Sequence, residues 1–179
     1  MSRVNVLHTV FSLILGCIVL AGAADANSQL AQKSPLKNIY DEKANARDDI
    51  KKAIVQAQKE GKRILLKFGG NWCPWCRRLH ALFQENETIR TCLGSNFVLV
   101  LVDVGHRDKN ADLNEKYGRP WSLGLPALVV LEKDGAMLHV QETGSLEFTP
   151  EDGEGKGHHP ERVLHFLKTW APQQVEKSH

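Results

Sequence analysis

Two short apolar runs with one helical pattern between them constrain this chain more than any other feature. Residues 63–68 (Arg-Ile-Leu-Leu-Lys-Phe) read as a buried strand, and residues 97–102 (Phe-Val-Leu-Val-Leu-Val) are continuously apolar, the mark of a strand covered on both faces. Gly69-Gly70-Asn71 breaks the first run. Pro74 then suits the first turn of a helix, where its missing N–H has no partner to lose, and Leu79, Leu82 and Phe83 give that helix an apolar face. A second short helix is expected over residues 87–93. Strand, helix and strand in this order predict a parallel, right-handed βαβ unit.

The flanking segments extend the pattern. Over residues 42–59, Ile50, Ala53, Ile54 and Ala57 follow the i, i+3, i+4, i+7 spacing of an amphipathic helix, and Gly61 sits where a C-cap belongs. Residues 112–117 predict another short helix. Residues 127–131 and 136–141, joined through Lys133-Asp134-Gly135, predict a β-hairpin. Residues 149–159 are polar and glycine-rich, hence loop, and Pro160 opens a last helix with Val163, Leu164, Phe166, Leu167 and Trp170 on its apolar face. The expected fold class is α/β, one domain over residues 39–172 with a central mixed sheet flanked by helices. The chain has 179 residues, 42% of them hydrophobic, enough to bury a full core without disulfide staples or a metal. A net charge of only +2, with basic residues interleaved among acids, gives no electrostatic case for nucleic acid. The small clusters Lys51-Lys52 and Arg77-Arg78 read as solvated helix faces.

Residues 1–26 have the order of a secretory signal: a basic start at Met1-Ser2-Arg3, an apolar run over residues 10–20, then Ala21-Gly22-Ala23-Ala24. Cleavage is expected after Ala23 or Ala26, and an uncleaved anchor is the alternative, although the run is short for a membrane span. Lipid modification at Cys17 fits poorly because Leu15 is bulky. Residues 27–38 are read as a flexible lead-in and residues 173–179 as a tail. Export, with a bacterial periplasm as the best-fitting destination, changes how the four cysteines read. Once Cys17 is removed, Cys73, Cys76 and Cys92 remain, too few and too odd a number for a disulfide scaffold. A close Cys-x-x-Cys pair in an oxidising compartment points to redox chemistry instead.

That pair lies in Trp72-Cys73-Pro74-Trp75-Cys76. Two intervening residues let the sulfurs meet across one helical turn. Cys73, at the helix N-terminus, meets free N–H groups and the positive end of the dipole, which favour its thiolate. It is the expected nucleophile, and Cys76, one turn in, resolves the mixed disulfide. Arg77, four residues from Cys73 on the same face, adds positive potential. Trp75 is expected either to contact substrate or to pack locally. The cysteine pair is itself the redox group, so no cofactor is called for. Cys92 reads as a small core residue rather than a third redox thiol. Cys73, Cys76 and His80 supply only three of the four ligands of a structural zinc site, so no metal is expected. His158-His159 read as a solvated lead-in to the last helix, and Asp103 as a cap or turn residue. Asn86-Glu87-Thr88 fits a glycosylation sequon, a pattern frequent by chance.

Gly69-Gly-Asn-Trp-Cys-Pro-Trp-Cys-Arg77 after a strand, followed by Gly124-Leu125-Pro126 before a hairpin, resembles the thioredoxin superfamily, in particular its exported domains with a Trp-Cys-x-x-Cys site. The resemblance runs over about residues 42–170 and implies the thioredoxin-like fold. It implies a cis peptide between Leu125 and Pro126 beside the sulfurs, with the backbone at Leu125 pairing with an extended substrate segment. Trp72 corresponds to the family's tryptophan flanking the site. With Trp75, Leu125 and Pro126 it would line the substrate groove. The implied partners are proteins carrying disulfides or dithiols, with a membrane disulfide-exchange protein as electron donor. Two departures stand out. Pro74-Trp75 replaces the Gly-Pro of familiar thioredoxins, and Lys67 occupies the position where they bury an acid that assists proton transfer at the second cysteine. A cation there would favour thiolate and make the disulfide more oxidising, unless the lysine stem reaches out to solvent. The sequence therefore reads as an exported thiol–disulfide oxidoreductase, a reductase more than an oxidase. The alternatives are a non-enzymatic binding module of the same fold, holding exported clients or a metal, and a structural protein in which the disulfide is a staple.

Overall fold

A computed structural model describes residues 38–173; residues 1–26, expected as a signal peptide, the expected lead-in through residue 37 and the expected C-terminal tail beyond residue 173 lie outside the described residues. The first helix, α1 (Ala46–Glu60), begins later than its apolar spacing alone suggested. A turn closed by Ala44 N–H on the Asp41 carbonyl precedes it, and the Asn45 side chain accepts from the N–H groups of Arg47 and Asp48 as an N-cap. Gly61, at φ 67°, ends it in the left-handed conformation that glycine adopts without strain.

β1 (Arg63–Gly69) and β2 (Phe97–Asp103) pair in parallel, Leu65 opposite Leu99 and Gly69 opposite Asp103. α2 (Pro74–Glu85) and α3 (Glu87–Asn96) make the crossover between them. After α4 (Ala111–Lys116) and a 3-10 turn at Pro120–Leu123, β3 (Ala127–Leu131) runs antiparallel to β1, and β4 (Met137–Glu142) antiparallel to β3. The described sheet is mixed, with strand order β2-β1-β3-β4. β2 is thus an edge strand. Val98, Leu99 and Leu101 are only half-buried, where the apolar run alone predicted cover on both faces. α5 (Pro160–Thr169) closes the domain.

The strand period of two sorts β1 between two cores. Ile64, Leu66 and Phe68 face α1 and α4, meeting Ile50, Ala53, Ala57 and Leu113. Leu65 faces the other way, into Leu79, Phe83, Ile89, Val163 and Leu167 of α2, α3 and α5. The segment 143–159 carries no strand longer than a single bridge, Glu147 with His158, but it is packed down: Leu146 enters the second core and Asp152 closes a capping box with Thr149. No described helix is long and apolar enough to cross a membrane.

Candidate active site

β1 ends at Gly69, and the following turn delivers Cys73 as the N-cap of α2 with Pro74 in the first helical turn. Cys73 and Cys76 form a disulfide with Cα atoms 5.2 Å apart. The Cys73 Sγ accepts the Cys76 N–H at 3.1 Å, so a helix-terminal donor points at that sulfur. Both cysteines are buried, Cys76 completely. The Leu125–Pro126 peptide is cis, and the Leu125 carbonyl oxygen lies 3.7 Å from Cys73 Sγ. Thr143 fixes that corner from the far side, its hydroxyl donating to the Pro126 carbonyl.

Around this pair the other expected site residues take distinct places. Trp72 is 45% exposed; its indole N–H donates to the Gly105 carbonyl and its ring stacks on His106. Trp75 is half-buried, edge-on to His158, with the Arg78 guanidinium over its face. Leu125 packs against the cysteine pair. The Arg77 guanidinium donates to the Asn71 carbonyl at 2.7 Å and so braces the turn before Cys73.

Among known proteins, the thioredoxin-like family model matches residues 45–133. A crystal structure of a disulphide isomerase from Xylella fastidiosa Temecula1 is 31% identical, with a TM-score of 0.64 over 75% of this chain and 97% of that one. This chain belongs to the thioredoxin superfamily. The oxidised C-terminal domain of Neisseria meningitidis DsbD shares the thioredoxin-like fold at 15% identity, with a TM-score of 0.52 over 71% of this chain and 97% of that one. No curated protein matches the chain. Membership of a disulfide oxidoreductase family and a closed Cys73–Cys76 disulfide agree.

Two positions in this thioredoxin-like domain differ from what composition suggests. Lys67 does not reach solvent. It pairs with Leu101 and Leu128 in the middle of three strands, is 0% exposed, and donates from Nζ to the Cys76 carbonyl at 3.1 Å, beneath the Tyr40 ring. Burial pulls its pKa down to about 7. His158 is not a solvated lead-in either. It is 5% exposed against Trp75, and burial, followed by the charges of Lys67 and Arg78, lowers its pKa to about 4. Only His159 has the helix-entry role, its Nδ1 accepting the Glu161 N–H at the start of α5. His80 in α2 is likewise lowered to about 4, by burial and then Lys67.

Cys92 is a half-buried free thiol beside the second core, its pKa raised by burial. Asp103 holds the turn after β2, accepting from Gly105 N–H and pairing with Lys109 at 2.9 Å. Among the described residues no three His, Cys, Asp or Glu side chains converge as metal ligands. The residue that sequence reasoning missed is Tyr40. It is buried against Cys73 and Cys76, and its backbone N–H and carbonyl are clamped by the Asn71 side chain at 2.9 Å each. It lies at the end of a polar lead-in with no periodic pattern around it, so nothing local marks it.

Proposed function

We propose that this protein is an exported thiol–disulfide oxidoreductase that exchanges disulfides with protein substrates, working as a reductase rather than an oxidase. The observation that carries the proposal is the contact of Cys73 Sγ, at the start of α2, with the backbone carbonyl that precedes cis Pro126. This places the reacting sulfur beside an extended backbone edge onto which a substrate strand can add.

In the reduced protein the Cys76 N–H and the helix dipole favour the Cys73 thiolate. That thiolate attacks one sulfur of a substrate disulfide. The substrate S–S bond breaks, a Cys73–substrate S–S bond forms, and one substrate thiolate leaves. Cys76 then attacks the Cys73 sulfur, the mixed disulfide breaks, the second substrate thiolate leaves, and two electrons have passed to the substrate. Trp72, Trp75, Leu125 and Pro126 form the groove for the substrate segment, and Arg77 holds the turn that presents Cys73. Lys67 supports the direction. A permanent cation beneath Cys76 would favour the reduced thiolate and an oxidising pair, but an amine with its pKa near 7 is uncharged for much of the time at neutral pH and exerts less of that pull. A membrane disulfide-exchange protein is the proposed electron donor, and the signal-like residues 1–26 support export to a periplasm.

Cys76→Ser tests the proposal. This variant is expected to accumulate covalent complexes with exported proteins that dithiothreitol releases, whereas Cys73→Ser accumulates none. A Cys76→Ser protein that retains full cellular function without trapping any protein supports a binding module and overturns the enzyme reading.

A further inference from the structure

Among the described residues, four buried side-chain polar atoms have no hydrogen-bond partner: the Tyr40 hydroxyl, His80 Nδ1, and both ring nitrogens of His158. Tyr40 is the one that packs against the cysteine pair. A buried hydroxyl without a partner loses its hydrogen bonds to water and gains none in return, so its position needs a reason. Gly69 supplies one. A Cβ at Gly69 would clash with both the Tyr40 hydroxyl and Cys76 Sγ, so glycine leaves the tyrosine oxygen and the inner sulfur facing one small space. The Asn71 clamp holds the Tyr40 backbone at that distance, and the Tyr40 ring lies over Lys67 Nζ at 4.8 Å.

We propose that Tyr40 is a positioning residue for the resolving step, its hydroxyl donating a hydrogen bond to Cys76 Sγ when that sulfur becomes a thiolate. The inference rests on the oxidoreductase reading above. In the disulfide the sulfur is a poor acceptor and the hydroxyl is left unpartnered. In the mixed disulfide, the Cys76 thiol passes its proton to the unprotonated Lys67 amine. The thiolate, held by the Tyr40 hydroxyl, attacks Cys73 Sγ. The Cys73–substrate bond breaks, the Cys73–Cys76 bond forms, and the substrate leaves as a thiolate with the bonding pair. The Lys67 ammonium then gives up its proton to that thiolate or to water. The other titratable groups around this space are His80 on α2, His158 ahead of α5, and Asp103 at the end of β2; burial first, and then the Asp103 charge, raise the cost of ionising Tyr40 and so keep its proton available for donation.

Tyr40→Phe removes the hydroxyl and keeps the ring. The test uses the reduced protein in a Cys17→Ser, Cys92→Ser background, mixed with the chromogenic aromatic disulfide of thionitrobenzoate. The first chromophore released reports attack by Cys73, and the second reports resolution by Cys76. The expected result is an unchanged first phase and a second phase slowed roughly tenfold, about 1.4 kcal/mol, with its pH profile displaced to higher pH. The thermal midpoint of the oxidised form should be unchanged or higher, because an unpartnered polar atom has been removed. A second phase equal to that of the parent overturns the assignment, as does equal slowing of both phases together with a lower midpoint, the mark of a packing role. A parent protein that releases no second chromophore overturns the oxidoreductase reading itself.

Discussion

β1 presents two buried faces that differ in kind. On the α1 side, Ile64, Leu66 and Phe68 meet Val100, Val102 and Val129 in an apolar layer with no unpartnered side-chain polar atom. One residue away on the same strand, Lys67 is just as completely buried, and around it stand Tyr40, His80 and His158, which together hold all four such atoms among the described residues. The alternation of one strand therefore divides two uses of burial. On one face removal from water supplies cohesion. On the other it supplies cohesion at Leu65 but works against charge at Lys67, drawing Lys67 down to about 7 and the two histidines to about 4.

Substitutions at Leu66 and at Lys67 should therefore act in opposite directions. Leu66→Ala on the cohesive face should lower stability by about 2–5 kcal/mol, measured by urea denaturation, while the exchange rate of the folded fraction stays as it was. A loss well under that range would show that the α1 layer relaxes around the cavity. Lys67→Met should have the reverse sign. The folded pKa of Lys67 is depressed, so between about 7 and the unfolded value of about 10.4 the unfolded chain holds a proton that the folded chain lacks. Wild-type stability then rises with pH across that window, by up to about 1.4 kcal/mol per unit, and the full penalty persists below it. Lys67→Met should be the more stable protein at pH ~6, its advantage shrinking toward pH ~10; thermal midpoints across the range measure it. Parallel curves for the two proteins would mean that Lys67 stays protonated in the fold.

The acid side sharpens the same contrast. His158 stays neutral in the folded protein to about pH 4, whereas an unfolded histidine takes up its proton near 6.5. Stability should fall as pH drops through that interval, and His158→Phe, which can keep an aromatic contact with Trp75, should flatten part of the fall. Least of all should come from the surface. Asp112→Asn breaks the exposed pair with Arg47 and should change stability by at most about 1 kcal/mol, and less in high salt.

Much of the architecture is legible in the sequence because it rests on local signals. The apolar runs of β1, β2 and β3, the spacing of α1, Pro74 at the start of α2 and the Lys133-Asp134-Gly135 turn each state their own element. The cysteine pair is legible for the same reason, its chemistry following from position at a helix start. What is hidden depends on contacts between distant segments. A lysine within a strand says nothing about whether its stem finds an exit, and Lys67 finds none because Tyr40, far back in the chain, covers it. His158 lies in a polar, glycine-rich stretch that reads as solvated, yet the Glu147 bridge and Trp75 fold it inward. β2 looks like a central strand from its run of six apolar residues, and only the strand order shows that it is an edge.

The central claim is that Cys73 and Cys76 form a working redox couple. The most direct measurement equilibrates the chain lacking residues 1–26 against graded glutathione and dithiothreitol buffers and reads the pair by mass shift on alkylation. The account predicts a reversible two-electron transition nearer to roughly −270 mV than to roughly −120 mV. A pair that stays oxidised below roughly −300 mV, as structural disulfides do, or one that never closes, would contradict it.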